Sequence, residues 1–415
     1  MTGDAIRYCI ALSHIAHIGD ARLRYLLARY KTVDALFAAP EKEIVNRLNN
    51  AFSRGSVGTF DKNELLDRAD KILRESAERG IAVITYDDER YPAMLKHIDN
   101  PPFILFAMGN TDAWTHNAVG IVGTRYPSHA SLRYAFTLGA QLAAHGVWTI
   151  SGMAKGVDAA AHWGAVSAGG RTVGVLASGL DQVYPAENRN LYERVIASGG
   201  ALVSEYPTGT IPEKFNFPKR NRIISGLSSA VVMVEAAARS GALITTRYAL
   251  EQGRDVFIAP YDETNTRYFG NHRLYKDGAT AAASYEDILN EFDDRFMSDE
   301  FYKTAKLNHT PVRIEKPEGY IPALSRPEEP RLFISQPTLK PAAAGSKHNP
   351  PQPVIPAEPL PEKDALVFGT ITSRTHIDDI AVAARLPVHE VAAALMRLEI
   401  QGAIRQEPGK LFSRI

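Results

Sequence analysis

From Ile81 onward the chain alternates short, mostly apolar runs with stretches long enough for helices, and this alternation narrows the possible folds more than any other feature. The runs occupy 81–85, 103–106, 119–122, 147–150, 172–176, 201–204, 230–234 and 255–259. Strands covered on both faces read as near-continuous apolar runs, whereas strands with one wet face alternate. Between them, residues 132–144, 158–168, 188–198 and 243–252 have the length of crossover helices. Repeated strand–helix–strand units give a parallel sheet with helices on both faces. The fold class expected is α/β, with a Rossmann-like, doubly wound, mostly parallel sheet as its core.

The flanks differ. In the first 80 residues Ile6, Cys9, Ile10 and then Leu23, Leu26, Leu27, Tyr30 recur at helical spacing, which predicts an α-helical bundle. Its Ile15-Ala16-His17-Ile18-Gly19-Asp20 stretch fits either a helix-hairpin-helix, whose turn meets a phosphate, or a SAM-like packing unit. Thirteen of the 25 prolines fall between Pro311 and Pro361, and proline removes backbone donors and fixes φ, so this part reads as a linker. Beyond it, 377–384, 388–401 and the strands 403–406 and 411–414 around Glu407-Pro408-Gly409-Lys410 read as a winged helix. The expected division is 1–80 helical, 81–295 Rossmann-like, 296–363 linker and 364–415 winged helix. The last has six cations and six anions, so protein binding or weak DNA binding suits it better than a strong phosphate grip.

The 47 Lys and Arg balance 47 Asp and Glu, so any nucleic-acid field must be local. One cysteine, Cys9, cannot close an intrachain disulfide and suits a reducing compartment. The polar first residues lack a signal-peptide core, and no segment has the roughly 20 apolar residues of a membrane span. A cytoplasmic protein is expected.

Ligands of open parallel sheets bind at the carboxyl ends of the strands, where helix N-termini present free N–H groups. After Val122 come Gly123-Thr124-Arg125 and Ser128, a fitting helix N-cap. After Ile150 comes Ser151-Gly152-Met153-Ala154-Lys155-Gly156-Val157-Asp158. Structural packing and phosphate contact both fit each loop alone. The loop after Ser204 carries Lys214, Lys219, Arg220, Arg222 and one anion, Glu213, with Phe215 and Phe217 interleaved and Asn221 between the arginines. Basic side chains take phosphates and aromatic faces stack unpaired bases. The alternative is that the phenylalanines enter the core while Arg220 and Arg222 pair with Glu205 or Glu235. Ser240-Gly241 opens another helix start.

Several signatures are missing from the sequence: the P-loop, a Gly-x-Gly-x-x-Gly after a strand, His-Glu-x-x-His, and the Gly-x-Ser-x-Gly elbow. No catalytic residue, metal or cofactor is therefore expected. His162 fits a general base or, better, the buried face of its helix.

Asp88-Glu-Arg-Tyr91-Pro92, Gly123-Thr-Arg125, Ser151-Gly152-Met-Ala-Lys-Gly156-Val-Asp158, Val175-Leu-Ala-Ser-Gly179-Leu-Asp181 with Tyr184-Pro185 and Asn188, Ser204-Glu205-Tyr206-Pro207, Asn216-Phe217-Pro218-Lys-Arg220-Asn221-Arg222 and Ser240-Gly241-Ala-Leu-Ile-Thr245 run in one order over about 200 residues. Together they resemble the DNA-processing protein A (DprA, or Smf) family. The resemblance implies a non-enzymatic, homodimeric protein that binds incoming single-stranded DNA during natural transformation. It also implies that the protein helps load the RecA recombinase, displacing single-strand-binding protein. It assigns Arg125 to an anion pocket, and Lys214 and Phe217 to the DNA site. Lys155 stands where arginine is more usual, which keeps the charge and loses the fork. Thr124 replaces a serine, and Pro260-Tyr261 replaces a Pro-Gly turn. The expected DNA-binding set is Gly123, Thr124, Arg125, Gly152, Lys155, Lys214, Phe217, Lys219, Arg220, Asn221, Arg222, Ser240 and Gly241. A second reading is a phosphoribohydrolase-like, nucleotide-processing enzyme with Glu235 or Glu205 as its catalytic carboxylate.

Overall fold

A computed structural model describes residues 3–52, 55–111, 117–291, 362–371, 375–384, 386, 390–391, 394–395, 398, 403–407 and 411–414. These fall into two compact units, one within residues 1–330 and one within 331–415. The expected linker at 296–363 lies, but for its last two residues, outside the described residues.

The first unit is built on a nine-stranded sheet in the order β1-β2-β6-β5-β4-β3-β7-β8-β9. Its strands are β1 Ala82–Thr85, β2 Ile104–Gly109, β3 Ala118–Val122, β4 Trp148–Ser151, β5 Thr172–Val175, β6 Ala201–Ser204, β7 Ala230–Met233, β8 Asp255–Ile258 and β9 Thr280–Ala281. All eight apolar runs form strands. The seven from β6 to β9 are parallel, while β1 and β2 form an antiparallel flank. β9 has two residues, both exposed, so no apolar run marks it.

One face of the sheet, Val119, Ile121, Val232 and Phe257, packs on Leu132, Leu138, Val157 and Ala161 from the helices His129–Ala144 and Val157–Ser167. These helices touch backbone to backbone. A Cβ on Gly139 would lie 2.3 Å from the Ala161 carbonyl oxygen, and one on Gly164 would lie 2.0 Å from that of Phe136. The other face, with Val122, Val231 and Met233, packs on Ile223, Ile224, Leu227 and Ala249.

Residues 214–222 differ from the loop expected. Asn216–Gly226 is a helix. Pro218 is tolerated in the first turn, where its missing N–H has no partner to lose. Arg220, Ile223, Ile224 and Leu227, all buried, follow the i, i+3, i+4, i+7 pattern, with a guanidinium in place of the first apolar group.

Five helices, Gly3–Ser13, Asp20–Tyr30, Val33–Ala38, Glu41–Ala51 and Lys62–Glu78, form the N-terminal part and share a core with Ile81, Phe103, Phe106 and Leu180 of the sheet region. In the Ile15 to Asp20 turn His17 takes the left-handed φ of 65°. The Asp20 carboxylate points inward, accepting the Phe103 N–H at 3.1 Å and pairing with Arg222 at 3.4 Å. This hairpin is thus a packing joint against the sheet.

In the second unit the helices Glu362–Thr370 and Ile377–Ala384 accompany a three-stranded antiparallel sheet of Thr375–His376, Ile404–Glu407 and Leu411–Arg414. Val367, Ile380, Val391, Leu395, Leu398 and Phe412 form its core. This is the winged-helix arrangement.

Candidate nucleic-acid interface

The chain leaves β3 towards β4 on one side and returns to β7 on the other, so the topological switch point lies between the carboxyl ends of β3 and β7. A cleft of about 370 Å³ opens there. It brings together eight of the sequence-predicted residues: Gly123, Thr124, Arg125, Phe217, Arg220, Asn221, Ser240 and Gly241. Gly152, Lys155, Lys214, Lys219 and Arg222 do not line it.

Arg125 is exposed, and its guanidinium lies over the half-buried Phe217 ring, 5.1 Å from the centroid. Among the described residues it has no carboxylate partner, so its five donors are free for an anion. The neighbouring glycine is required here, because a Cβ on Gly123 would come 2.6 Å from Val157. Lys214 is likewise exposed and without an ion pair among the described residues.

Arg220 is buried and reaches back under the cleft floor. Its Nη1 donates to the carbonyls of Gly152, at 2.8 Å, and Val175. Burial pushes its pKa down to about 10, with Asp158 opposing, and at neutral pH it stays charged. It therefore caps the ends of β4 and β5 while bringing positive charge to the cleft wall.

Two amides of the 151–158 turn are filled from within the chain. Asp158, the first-turn acid of the next helix, accepts the Gly152 N–H at 3.1 Å and the Ala154 N–H at 3.4 Å. The chain's own carboxylate thus occupies the place expected for a phosphate. Gly152 is needed for packing, since a Cβ there would lie 2.5 Å from Arg220 and 2.8 Å from Asp158. Lys155 projects from the turn and pairs with the exposed Glu187 at 2.5 Å.

Lys219 and Arg222 are committed elsewhere. Arg222 donates to both Glu205 oxygens, at 3.0 and 2.8 Å, and to the Asn100 carbonyl at 2.8 Å. Lys219 pairs with the same Glu205 at 3.4 Å. Burial alone would raise the Glu205 pKa, but Arg222 and Lys219 outweigh it and hold the carboxyl below its ordinary value. Glu235, also buried, accepts the Ser128 N–H at 2.7 Å and pairs with Arg267 at 3.3 Å. Ser128 is the N-cap of its helix, accepting the Ser131 N–H at 3.1 Å. Neither carboxylate named for a hydrolase lines the cleft.

On the β7 side, Ser240 Oγ accepts the Ala242 N–H at 3.3 Å and Asn221 donates to the Gly241 carbonyl at 3.4 Å. Asn271 fixes this strand end by accepting the Ala236 N–H at 2.9 Å and donating to Val234 at 3.1 Å. Sequence reasoning missed Tyr184, whose ring centroid lies 5.7 Å from that of Phe217, and the plugging role of Asp158. Asp158 had a readable signal, an acid in the first turn of a helix after a glycine turn. Tyr184 had none that separates it from a core aromatic.

A doubly wound, mostly parallel sheet with an arginine over an aromatic ring at its switch point defines a Rossmann-like α/β protein with a cationic cleft. The sequence matches the family described as DNA recombination-mediator protein A over residues 82–293, and the DprA winged helix domain over 350–410. It is 31% identical to Protein Smf of Synechocystis sp. over the whole length of both chains. It is 39% identical to the DNA processing protein DprA of Bacillus subtilis across 56% of this chain and 80% of that one. In structure it is similar to DNA processing protein A of Streptococcus pneumoniae, with a TM-score of 0.57 and 30% identity, covering 70% of this chain and 97% of that one. The chain belongs to the DNA recombination-mediator protein A family, and its role is in DNA processing.

Proposed function

We propose that the switch-point cleft grips single-stranded DNA without sequence preference, and that the protein mediates recombination by holding the strand rather than by chemistry on it. The observation that carries this reading is Arg125 over Phe217, 5.1 Å from guanidinium to ring centroid, at a strand end where anions bind. A free cation beside an aromatic face suits a phosphate next to an unpaired base, and stacking tolerates any base. Exposed Lys214 extends the cationic rim. The finer parts of the reading follow from family membership: loading of RecA, displacement of single-strand-binding protein, a homodimer as the working form, and a cytoplasmic place in natural transformation. The winged helix then supplies a partner contact.

The test is a titration of poly-thymidine and a matching duplex at several salt concentrations. Single strand should bind more tightly, with log affinity falling against log salt at a slope of about −0.7 per phosphate neutralised. Equal affinity for duplex, or a flat salt dependence, would sink the proposal.

A further inference from the structure

Around the outer edge of the cleft the 184–188 segment is pinned to the 152–155 turn. Asn188 Nδ2 donates to the carbonyls of Met153 and Ala154 at 2.8 and 3.3 Å, and the Tyr192 hydroxyl donates to the Tyr184 carbonyl at 3.3 Å. This places the Tyr184 ring, with the residue 44% exposed, at 5.7 Å and 59° from the Phe217 ring. Lys155, in the turn to which this segment is pinned, pairs with Glu187 of the segment at 2.5 Å, and Tyr126 in the cleft lining is 63% exposed. Tyr184 thus keeps nearly half of its surface in water beside an aromatic ring that already lines the cleft. Its face is available to a ligand. Among the described residues Lys155 is held only by Glu187, whose side chain is 63% exposed, and surface pairs of this kind are weak enough to exchange for a phosphate.

We propose that Tyr184 is a second stacking platform for the strand, and that Lys155 takes the phosphate between the base on Phe217 and the base on Tyr184. Glu187 occupies Lys155 in the free protein and gives way to that phosphate. The inference rests on the cleft being the single-strand site and extends its path outward over the 184–188 segment.

The test combines contact and affinity on the full chain. An oligothymidylate carrying 5-iodouracil, photo-crosslinked to the wild-type protein and mapped by peptide mass, should mark Tyr184 as well as Phe217. In anisotropy titrations Tyr184→Ala should bind oligothymidylate about 5- to 150-fold more weakly, the stacking contribution of one base, with an unchanged salt slope. Tyr184→Phe should bind as wild type. Lys155→Gln should lower the salt slope by about 0.7, and Glu187→Gln should tighten binding. Crosslinks confined to Phe217, or Tyr184→Ala with wild-type affinity, would overturn the inference. So would Tyr184→Phe losing as much as Tyr184→Ala, since the hydroxyl rather than the ring would then be responsible. Arg125→Ala and Phe217→Ala run alongside. If they lose affinity while Tyr184→Ala does not, the second platform alone is rejected. If they too bind as wild type, the cleft reading goes with it.

Discussion

Arg222 has both oxygens of buried Glu205 on its guanidinium, whereas Lys214, in the same basic segment, stands exposed. One charge holds the protein together and the other is free to hold a ligand. Truncating Arg222 to Ala leaves Glu205 in the interior with only the half-exposed Lys219 at 3.4 Å as a cation partner, which costs up to roughly 3–5 kcal/mol, the range for breaking a buried pair. Lys214→Ala removes an exposed group and should move stability by no more than about 0.5 kcal/mol while weakening single-strand binding. Thermal unfolding of the two variants separates them, and a shared melting temperature would contradict the assignment. The cationic run was legible as charge. Its division into structural and free members was legible only as an alternative, in which Arg222 pairs with Glu205 as observed, because pairing depends on which helix face each side chain takes. Gly152 is a similar case: the sequence shows a glycine after a strand, but only the packed structure shows that the space beside it belongs to Arg220 and Asp158.

At the scale of elements, the Val157–Ser167 helix explains why a turn with two glycines and a lysine presents so few donors. Its first-turn Asp158 accepts the Gly152 and Ala154 amides, and one turn later His162 is fully buried, its Nδ1 2.7 Å from the Thr172 hydroxyl. Thr172 spends its own proton on the Thr149 carbonyl, so Nδ1 carries a hydrogen and donates it to the Thr172 hydroxyl. Burial pushes the His162 pKa down to about 3. The sign follows: below about 6.5 the unfolded chain takes up a proton that the folded chain refuses. The full stabilisation is present above that value and is lost at about 1.4 kcal/mol per pH unit as the pH falls towards 3. Between about pH 7 and pH 5 His162→Gln should therefore lose about 2 kcal/mol less unfolding free energy than wild type, measured by denaturant titration. Parallel curves would show that His162 titrates normally. The strands were the most legible elements, since burial on both faces leaves apolar runs. The Asn216–Gly226 helix was hidden because Pro218 and the arginines imitate a loop, although Ile223, Ile224 and Leu227 keep helical spacing.

For the whole molecule, eight of the nine strands of the large sheet and its doubly wound class were readable from the alternation of runs and helices. The antiparallel β1–β2 flank was not, because a strand's direction depends on its connection rather than its composition. The place of the site followed from topology: wherever the strand order reverses, two strand ends leave a crevice. With 47 cations against 47 anions the protein has no global field to draw in DNA, so the salt dependence of binding must come from a few local charges, with Arg125 foremost. The most direct measurement is a salt-dependent titration of oligothymidylate by wild type, Arg125→Ala and Phe217→Ala side by side. Phe217→Ala should run parallel to wild type and weaker by roughly 1–3 kcal/mol, as befits a lost base stack. Arg125→Ala should be weaker with a slope shallower by about 0.7. Three superimposed lines would place the strand somewhere other than this cleft.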